Sequence, residues 1–311
     1  MIKPNSIILD TSAYAYNHMT SVHRMRSIEI IHPYHLRDSG GIHTLEHYSG
    51  NQIRFFFKED TVNILVCVKQ VPDTETIVKI ADDGKSIDES EVNFVINPYD
   101  EFAVEEAIRL KEEHGGEVTI VTLGPEDATS AMRNALAMGA DRGILLTTEN
   151  ARMADSYAIA SALASAIREI DYDIILCGKK SVDSDHHQVG PMLATLLDIP
   201  CVSTIHDLSI SNENFTASRD IEGGTETYEG TLPAVFTADK SLNDPRYAAL
   251  KGIMQAKKKP IDTREAKLPE ETISIDSMEY PPESPPGKIV GEGPDAVPEL
   301  VRLLKNEAKV L

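Results

Sequence analysis

The chain contains no tryptophan and only 5% aromatic residues, so any core must be aliphatic, built on Ala, Val, Leu and Ile. Its three cysteines, Cys67, Cys177 and Cys201, are far apart and show no metal-ligand pairing. Cys67 and Cys177 sit inside apolar, strand-like runs, where a cysteine serves as a small buried hydrophobe. Nothing in this usage argues for disulfides or an oxidising compartment. No apolar run approaches the roughly 20 residues that span a bilayer. No charged-then-apolar signal peptide opens the chain. Basic charge is scarce as well: 30 Lys and Arg against 50 Asp and Glu leave a formal net charge of −20. Nucleic acid and anionic membranes need a basic surface, so neither fits as a partner. Also missing are a Walker sequence and a G-x-G-x-x-G after a strand. A soluble cytoplasmic protein is the expectation. What is present is 41% hydrophobic residues in 311, enough for a real core in one large or two modest domains.

Residues 1–61 differ in kind from the rest. They hold six of the ten histidines (His18, His23, His32, His35, His43 and His47), and six acids balance six bases. The whole negative excess therefore lies downstream. Neither helical nor strand periodicity persists beyond fragments such as SIILD and SIEIIH. The histidine spacings match no metal-ligand pattern, and a transit peptide would be poor in acids, which this segment is not. Lys58-Glu59-Asp60 can be encoded by a bacterial ribosome-binding sequence a few bases before a valine codon. The expectation is that 1–61 is a non-native or disordered leader and that Val62 is the initiator.

From Asn63 the pattern alternates strands with helices. NILVCV is a short apolar run, followed by a hairpin region with its turn at Asp82-Asp83-Gly84. YDEFAVEEAIRLKEEHGG places Phe102, Ala103, Ala107, Ile108 and Leu110 on one helical face and glutamates and lysines on the other. Gly115-Gly116 ends that helix. EVTIVTLG, RGILLTT and YDIILCG read as strands; PEDATSAMRNALAMGA, with Pro125 in its first turn, and ADSYAIASALASAIREI read as helices. Such alternation gives an α/β fold: an open, mostly parallel sheet with helices on both faces. Residues 202–231 alternate differently, as short antiparallel strands. Residues 62–256 thus form one α/β domain. From 257 the chain turns polar and proline-rich and closes with AVPELVRLLKNEA, a C-terminal arm (257–311) suited to packing on something else.

In open parallel sheets ligands bind beyond the carboxyl ends of the strands, where helix N-termini aim amide donors at anions. Three loops qualify: the one after NILVCV, with Lys69 and Gln70; LGPED; and CGKKSVDSDHHQVGPM. In the third, a helix beginning near Gln188 offers the amides of Gln188, Val189 and Gly190 to a phosphate. Asp and His are also ordinary residues of a solvated turn, so loop chemistry alone leaves both readings open. His186-His187 has no serine or cysteine nucleophile with a companion base. Further on, Gly223-Gly224 marks a tight hairpin turn and LPAVFTA a buried strand. Leu250, Ile253 and Met254 recur at helical spacing; such residues form either core or an exposed, adaptable anchor for a partner.

At these residues the chain resembles the electron transfer flavoprotein β subunit. The matching pieces are NILVCVKQVPD, NPYDEFAVEEAIRLKE, NALAMGADRGI, the D-x-D-x-x-Q-x-G loop, RDIEGG and LPAVFTADKSLNDPRYAALKGIMQAKKKP. They span essentially all of 63–311 and none of 1–61. The resemblance implies an adenine nucleotide α-hydrolase-like sheet and a heterodimer with an α subunit that holds most of the redox FAD. It implies electron transfer from acyl-CoA-type dehydrogenases, as in fatty acid β-oxidation, to a membrane iron–sulfur quinone oxidoreductase, with no catalytic turnover by this subunit. It also implies a nucleotide, AMP or a second FAD, contacted by Cys67, Asn97, Leu123, Asp183, His187, Gln188, Val189 and Gly190. Arg219 and Asp220 would lie near the flavin and the partner, and Leu250, with Ile253 and Met254, would dock on the dehydrogenase. The sequence departs from the family pattern in several places. Ser184 stands where an acid is common, Asp220 where a glutamate is common, and His187-Gln188-Val189 where AMP binders carry Asn-Gln-Thr. Valine there occurs in electron-bifurcating members that use NADH, whereas RDIEGGTET and NDPRYAALKG look like the AMP-binding branch, which is favoured. A stand-alone ATP-binding stress-type protein or hydrolase on the same fold is the remaining alternative.

Overall fold

The computed structural model describes residues 61–148, 151–270, 273–283 and 286–311, plus the backbone of two short strands, β1 (Ile28–Glu29) and β2 (Gln52–Ile53). These two pair antiparallel, with Ile28 opposite Ile53. The rest of 1–60, with its histidines and the leader reading, lies outside the described residues.

The centre of the fold is β3 (Ile64–Cys67), apolar at every position because both of its faces are covered. After it, β4 (Gln70–Pro72) and β5 (Phe94–Ile96) form a small antiparallel pair. The hairpin expected between them contributes one isolated bridge, Ile80 to Ile87, around a turn at Gly84 with φ of 64°. Next come α1 (Pro98–His114), β6 (Val118–Gly124), α2 (Thr129–Met138) and β7 (Arg142–Thr147). A 3₁₀ turn, Glu126–Ala128, precedes α2, so Pro125 stands before that turn and outside the helix proper. Then follow α3 (Ser156–Ile167), β8 (Ile174–Gly178) and α4 (Val189–Leu197). Asp155 caps α3 by accepting from Ala158 N at 2.8 Å.

A meander of β9 (Cys201–Ser211), β10 (Asn214–Ile221) and β11 (Gly224–Thr231) occupies 201–231, antiparallel as expected but in strands of 11, 8 and 8 residues rather than short ones. Gly223, at φ of 83°, makes the tight turn of its second hairpin. β12 (Ala234–Ala238) is buried throughout. It is followed by α5 (Leu250–Ala256), β13 (Ile261–Glu265) and α6 (Val297–Leu303).

The nine-stranded sheet runs β11-β10-β9-β12-β8-β3-β6-β7-β13. Every pairing from β9 to β13 is parallel. One face carries a core that includes Ile64, Val66, Val104, Met132 and Ala256, covered by α1, α2 and α5. The other face includes Leu65, Cys67, Leu163 and Leu193 under α3 and α4. Helices on both faces of a mostly parallel sheet are the expected class. Phe215 of the meander meets Phe236 of β12 edge to face, with centroids 4.9 Å apart, and its ring fills the space a side chain at Gly230 would need.

Two expectations need correction. The chain re-enters the sheet after 257: β13 pairs with β7, and Ala266 N donates to Thr147 O at 2.9 Å, so the segment outside the sheet begins later. Its strand is IDTRE, charged because it is an edge, which is why composition hid it. Second, the glutamate face of α1 is not wholly polar surface: Glu105 and Glu106 are buried. Both are neutralised or hydrogen-bonded by residues from the loop before α5.

Candidate functional site

From β3 the chain steps outward to β6 and β7, then returns to place β8 on the other side of β3. That reversal is the topological switch point, the place where open α/β sheets hold ligands beyond their strand ends. Cys67 and Cys177 are register partners there. Both are buried, and the Cys177 thiol is pushed well up, first by its hydrogen bond with Cys67 and then by burial. The Cys177 thiol therefore behaves as a packing group and not as a nucleophile.

A carboxylate that the sequence reading passed over organises this end of the sheet. Asp100, in the first turn of α1, accepts from Lys69 N at 2.7 Å, Gly178 N at 3.1 Å and Asn97 Nδ2 at 2.8 Å. It therefore binds the end of β3 to the end of β8. Burial pushes its pKa up to about 7, against the lowering effect of those donors. Asn97 extends the tie: Nδ2 also donates to Lys180 O at 2.9 Å, and Oδ1 accepts from Val182 N at 3.2 Å. The signal available in the sequence was an acid two residues after Pro98, which reads as an ordinary first-turn helix acid.

The three expected loops converge. Lys69 Nζ reaches Asp183 Oδ2 at 2.6 Å. Burial alone would raise the Asp183 carboxyl, but Lys69 and hydrogen bonds from Ser181 and Ser184 hold it below the ordinary value. Gln70 Nε2 donates to Asp127 O, in the turn after β6, and to Ser130 Oγ, in the first turn of α2, at 3.0 and 3.1 Å. Arg152 Nη2 closes the ring on Gln70 Oε1 at 3.1 Å and Asp127 at 2.9 Å. Lys180 pairs with Asp185, and Lys179 and Lys180 lie over the ring of Tyr99.

Helix α4 starts where expected, with Gln188 as its N-cap residue, and no side chain caps it. The first-turn amides of Val189 and Gly190 have no intrahelical partner, and Pro191 contributes none. The absence of a side-chain cap leaves this helix end fit to receive an anion such as a phosphate. Gly190 is required for a second reason: a Cβ there would lie 2.5 Å from Thr237 Cγ2 on β12. His187 has φ of 54° and is exposed, while its neighbour His186 is the one that reaches protein, 3.4 Å from Ser156 Oγ.

Cys67, Asn97, Asp183, Gln188, Val189 and Gly190 thus gather at the switch point. Leu123 lies one strand away on β6, two residues beyond the partner of Cys67. Arg219 pairs with Ile205, Ile205 with Ala238, and Ala238 with Gly178, so it shares the level of the strand ends, three strands away. It is held by Glu226 at 2.7 Å and Tyr228 at 3.0 Å. Asp220 beside it is exposed and accepts from Thr225 Oγ1 at 3.2 Å. Leu250, Ile253 and Met254 are not part of this cluster. They project from α5 with 76, 45 and 65% exposure, which rules out the core alternative for them.

Residues 85–269 match the electron transfer flavoprotein domain family. The chain is 42% identical over 264 residues to the electron transfer flavoprotein subunit beta of Bacillus subtilis (strain 168), covering 80% of this chain and 100% of that one. It is 38% identical over 257 residues to the mitochondrial subunit beta of Oryza sativa subsp. japonica, with the same coverage. This chain belongs to the electron transfer flavoprotein β-subunit family. It is also 39% identical over 202 residues to subunit CarD of the caffeyl-CoA reductase–Etf complex of Acetobacterium woodii, covering 64% of this chain and 77% of that one. The family is one of flavoproteins, and a β subunit implies an α subunit as its heterodimer partner. Among the described residues, no helix is long and apolar enough to cross a membrane.

Proposed function

We propose that this chain is the non-catalytic half of a heterodimeric electron carrier that takes electrons from acyl-CoA-type dehydrogenases and delivers them to a membrane iron–sulfur quinone oxidoreductase. It holds AMP as a structural ligand, and the α subunit holds the FAD, which supplies the redox chemistry when bound. The observation that carries this reading is the uncapped N-terminus of α4 at the switch point, encircled by loops tied through Asp100, Asn97, Lys69 and Gln70. Gln188, Val189 and Gly190 would meet the phosphate, and Cys67, Asn97 and Leu123 the rest of the nucleotide. A ligand that binds only the folded state stabilises it in proportion to its saturation.

Two further surfaces fit the proposed partners. Helix α6 buries none of its residues, and Val297, Leu300 and Val301 are exposed at helical spacing. That face is where the arm would pack on the α subunit. Leu250, Ile253 and Met254 form the second apolar surface, suited to docking a dehydrogenase. Replacing Leu250 with Ala is expected to raise the KM of the carrier for a butyryl-CoA-reduced acyl-CoA dehydrogenase about tenfold, the scale of one anchor residue. Flavin content should stay the same. Unchanged KM would remove Leu250 from the docking surface.

A second reading places FAD where AMP is proposed, in a bifurcating, NADH-using complex. Val189 favours it, since valine lacks the hydroxyl donor that threonine would aim at a phosphate. A relative that belongs to a reductase complex supports the same reading.

A further inference from the structure

The exposed apolar stretch from Tyr247 to Met254 is fixed to the domain by an unusual concentration of charge. Asn243 Nδ2 donates to Phe102 O at 3.0 Å and to Glu106 Oε2 at 2.9 Å. Three residues later, Arg246 gives Glu105 three hydrogen bonds: from its backbone N at 3.1 Å, Nε at 2.8 Å and Nη2 at 2.9 Å. Its guanidinium also reaches Glu112 through Nη1 at 2.6 Å and Nη2 at 3.1 Å. Glu105 and Glu112 are two turns apart on α1, so one planar fork spans both. The Glu105 side chain is only 6% exposed.

Directly after this clamp the chain turns apolar and outward. Tyr247 is 99% and Leu250 76% exposed. The far end of α5 is tied to α2 instead: Arg133 Nη1 donates to Lys259 O at 2.7 Å, and a Cβ on Gly252 would meet Ala137 O at 2.4 Å. The exposed stretch is therefore suspended between two anchors.

Exposed apolar side chains gain nothing from staying ordered in water, and ordering them costs conformational entropy. Burying the Glu105 carboxylate also costs desolvation, which offsets its attraction to Arg246. Both costs make sense when order itself is needed, since a surface already held in its bound shape loses less on association.

We propose that Arg246, gripped by Glu105 and Glu112, is a positioning residue that presents the Tyr247–Met254 face to the docking partner. This rests on the docking reading given above for Leu250.

The test uses the full chain in its heterodimer and two measurements. Amide hydrogen exchange over residues 244–250 reads the ordering without any partner. Reduction by a butyryl-CoA-reduced acyl-CoA dehydrogenase reads docking, as KM against kcat. In R246Q, exchange over 244–250 is expected to quicken about tenfold, while the sheet amides stay as they were. KM should rise about tenfold, with kcat within about twofold and flavin content unchanged. E112Q removes only the outer, half-exposed jaw, leaves no buried charge unpaired, and should move both readouts in the same direction by about threefold. R246K keeps the charge but not the fork and should fall between R246Q and wild type.

Wild-type exchange over 244–250 in E112Q and R246K overturns the proposal, even if R246Q fails to fold. So does faster exchange with an unmoved KM, when Leu250→Ala raises KM in the same assay. An unmoved KM in Leu250→Ala would show that the docking reading itself has failed, and the proposal falls with it.

Discussion

Asp100 shows how one buried side chain can join elements far apart in the chain. Its carboxylate takes donors from Lys69, Gly178 and Asn97, and so ties together the two strand ends at the switch point. Its folded pKa of about 7 exceeds the ordinary 3.8, so the native state holds that proton more tightly than the unfolded chain. The stability this group contributes is full below about pH 4 and is lost as pH rises to about 7. Lys69, in the step between β3 and β4, is a charged neighbour that favours its ionised form, and Cys177 on β8 lies beside it. Asp100→Asn removes the titration. The stability of wild type relative to this variant should therefore fall by about 1.4 kcal/mol per pH unit between pH 5 and 7, about 3 kcal/mol in all. Urea unfolding of both proteins at pH 5 and pH 8 measures this; parallel pH dependences would show that Asp100 is ionised throughout.

At Gly190, helix α4 packs closely against Thr237 of strand β12. A Cβ on Gly190 would press on Thr237 Cγ2, while Thr237 Oγ1 accepts from Thr204 N at 2.8 Å. Gly190→Ala is expected to cost about 1–3 kcal/mol through overpacking. Thr237→Ser keeps the hydroxyl and removes the methyl, so the pair Gly190→Ala with Thr237→Ser should recover most of that loss in urea midpoint. A pair as unstable as the single variant would show that packing is not what selects this glycine. Elements of this kind were largely legible in the sequence. NILVCV, EVTIVTLG and LPAVFTA could be read as buried strands because nothing charged interrupts their apolar runs, and Gln188 marked the start of α4. What escaped were features set by distant partners. Glu105 and Glu106 look solvated until Arg246 and Asn243, 141 and 137 residues away, are brought onto them. IDTRE carries three charges in five residues, yet it pairs with β7 because an edge strand has one free side. At the candidate site, the cluster from Cys67 to Gly190 was legible through its motif, whereas Asp100 was not, because its role appears only once β3 and β8 are neighbours.

The molecule as a whole has the features of one half of an assembly. The formal charge of −20 keeps a bare surface soluble while apolar patches on α5 and α6 stay exposed. The switch-point end of the sheet and the apolar face of α5 are separate surfaces, so the proposed ligand site and the proposed docking site do not compete. The central claim is that the switch point holds a structural AMP while the redox flavin belongs to the α subunit. The most direct test is to co-express this chain with its α subunit, denature the purified heterodimer and quantify the FAD and AMP released. One FAD and one AMP per heterodimer is the expected result; two FADs and no AMP would contradict the account and make NADH the next reductant to test.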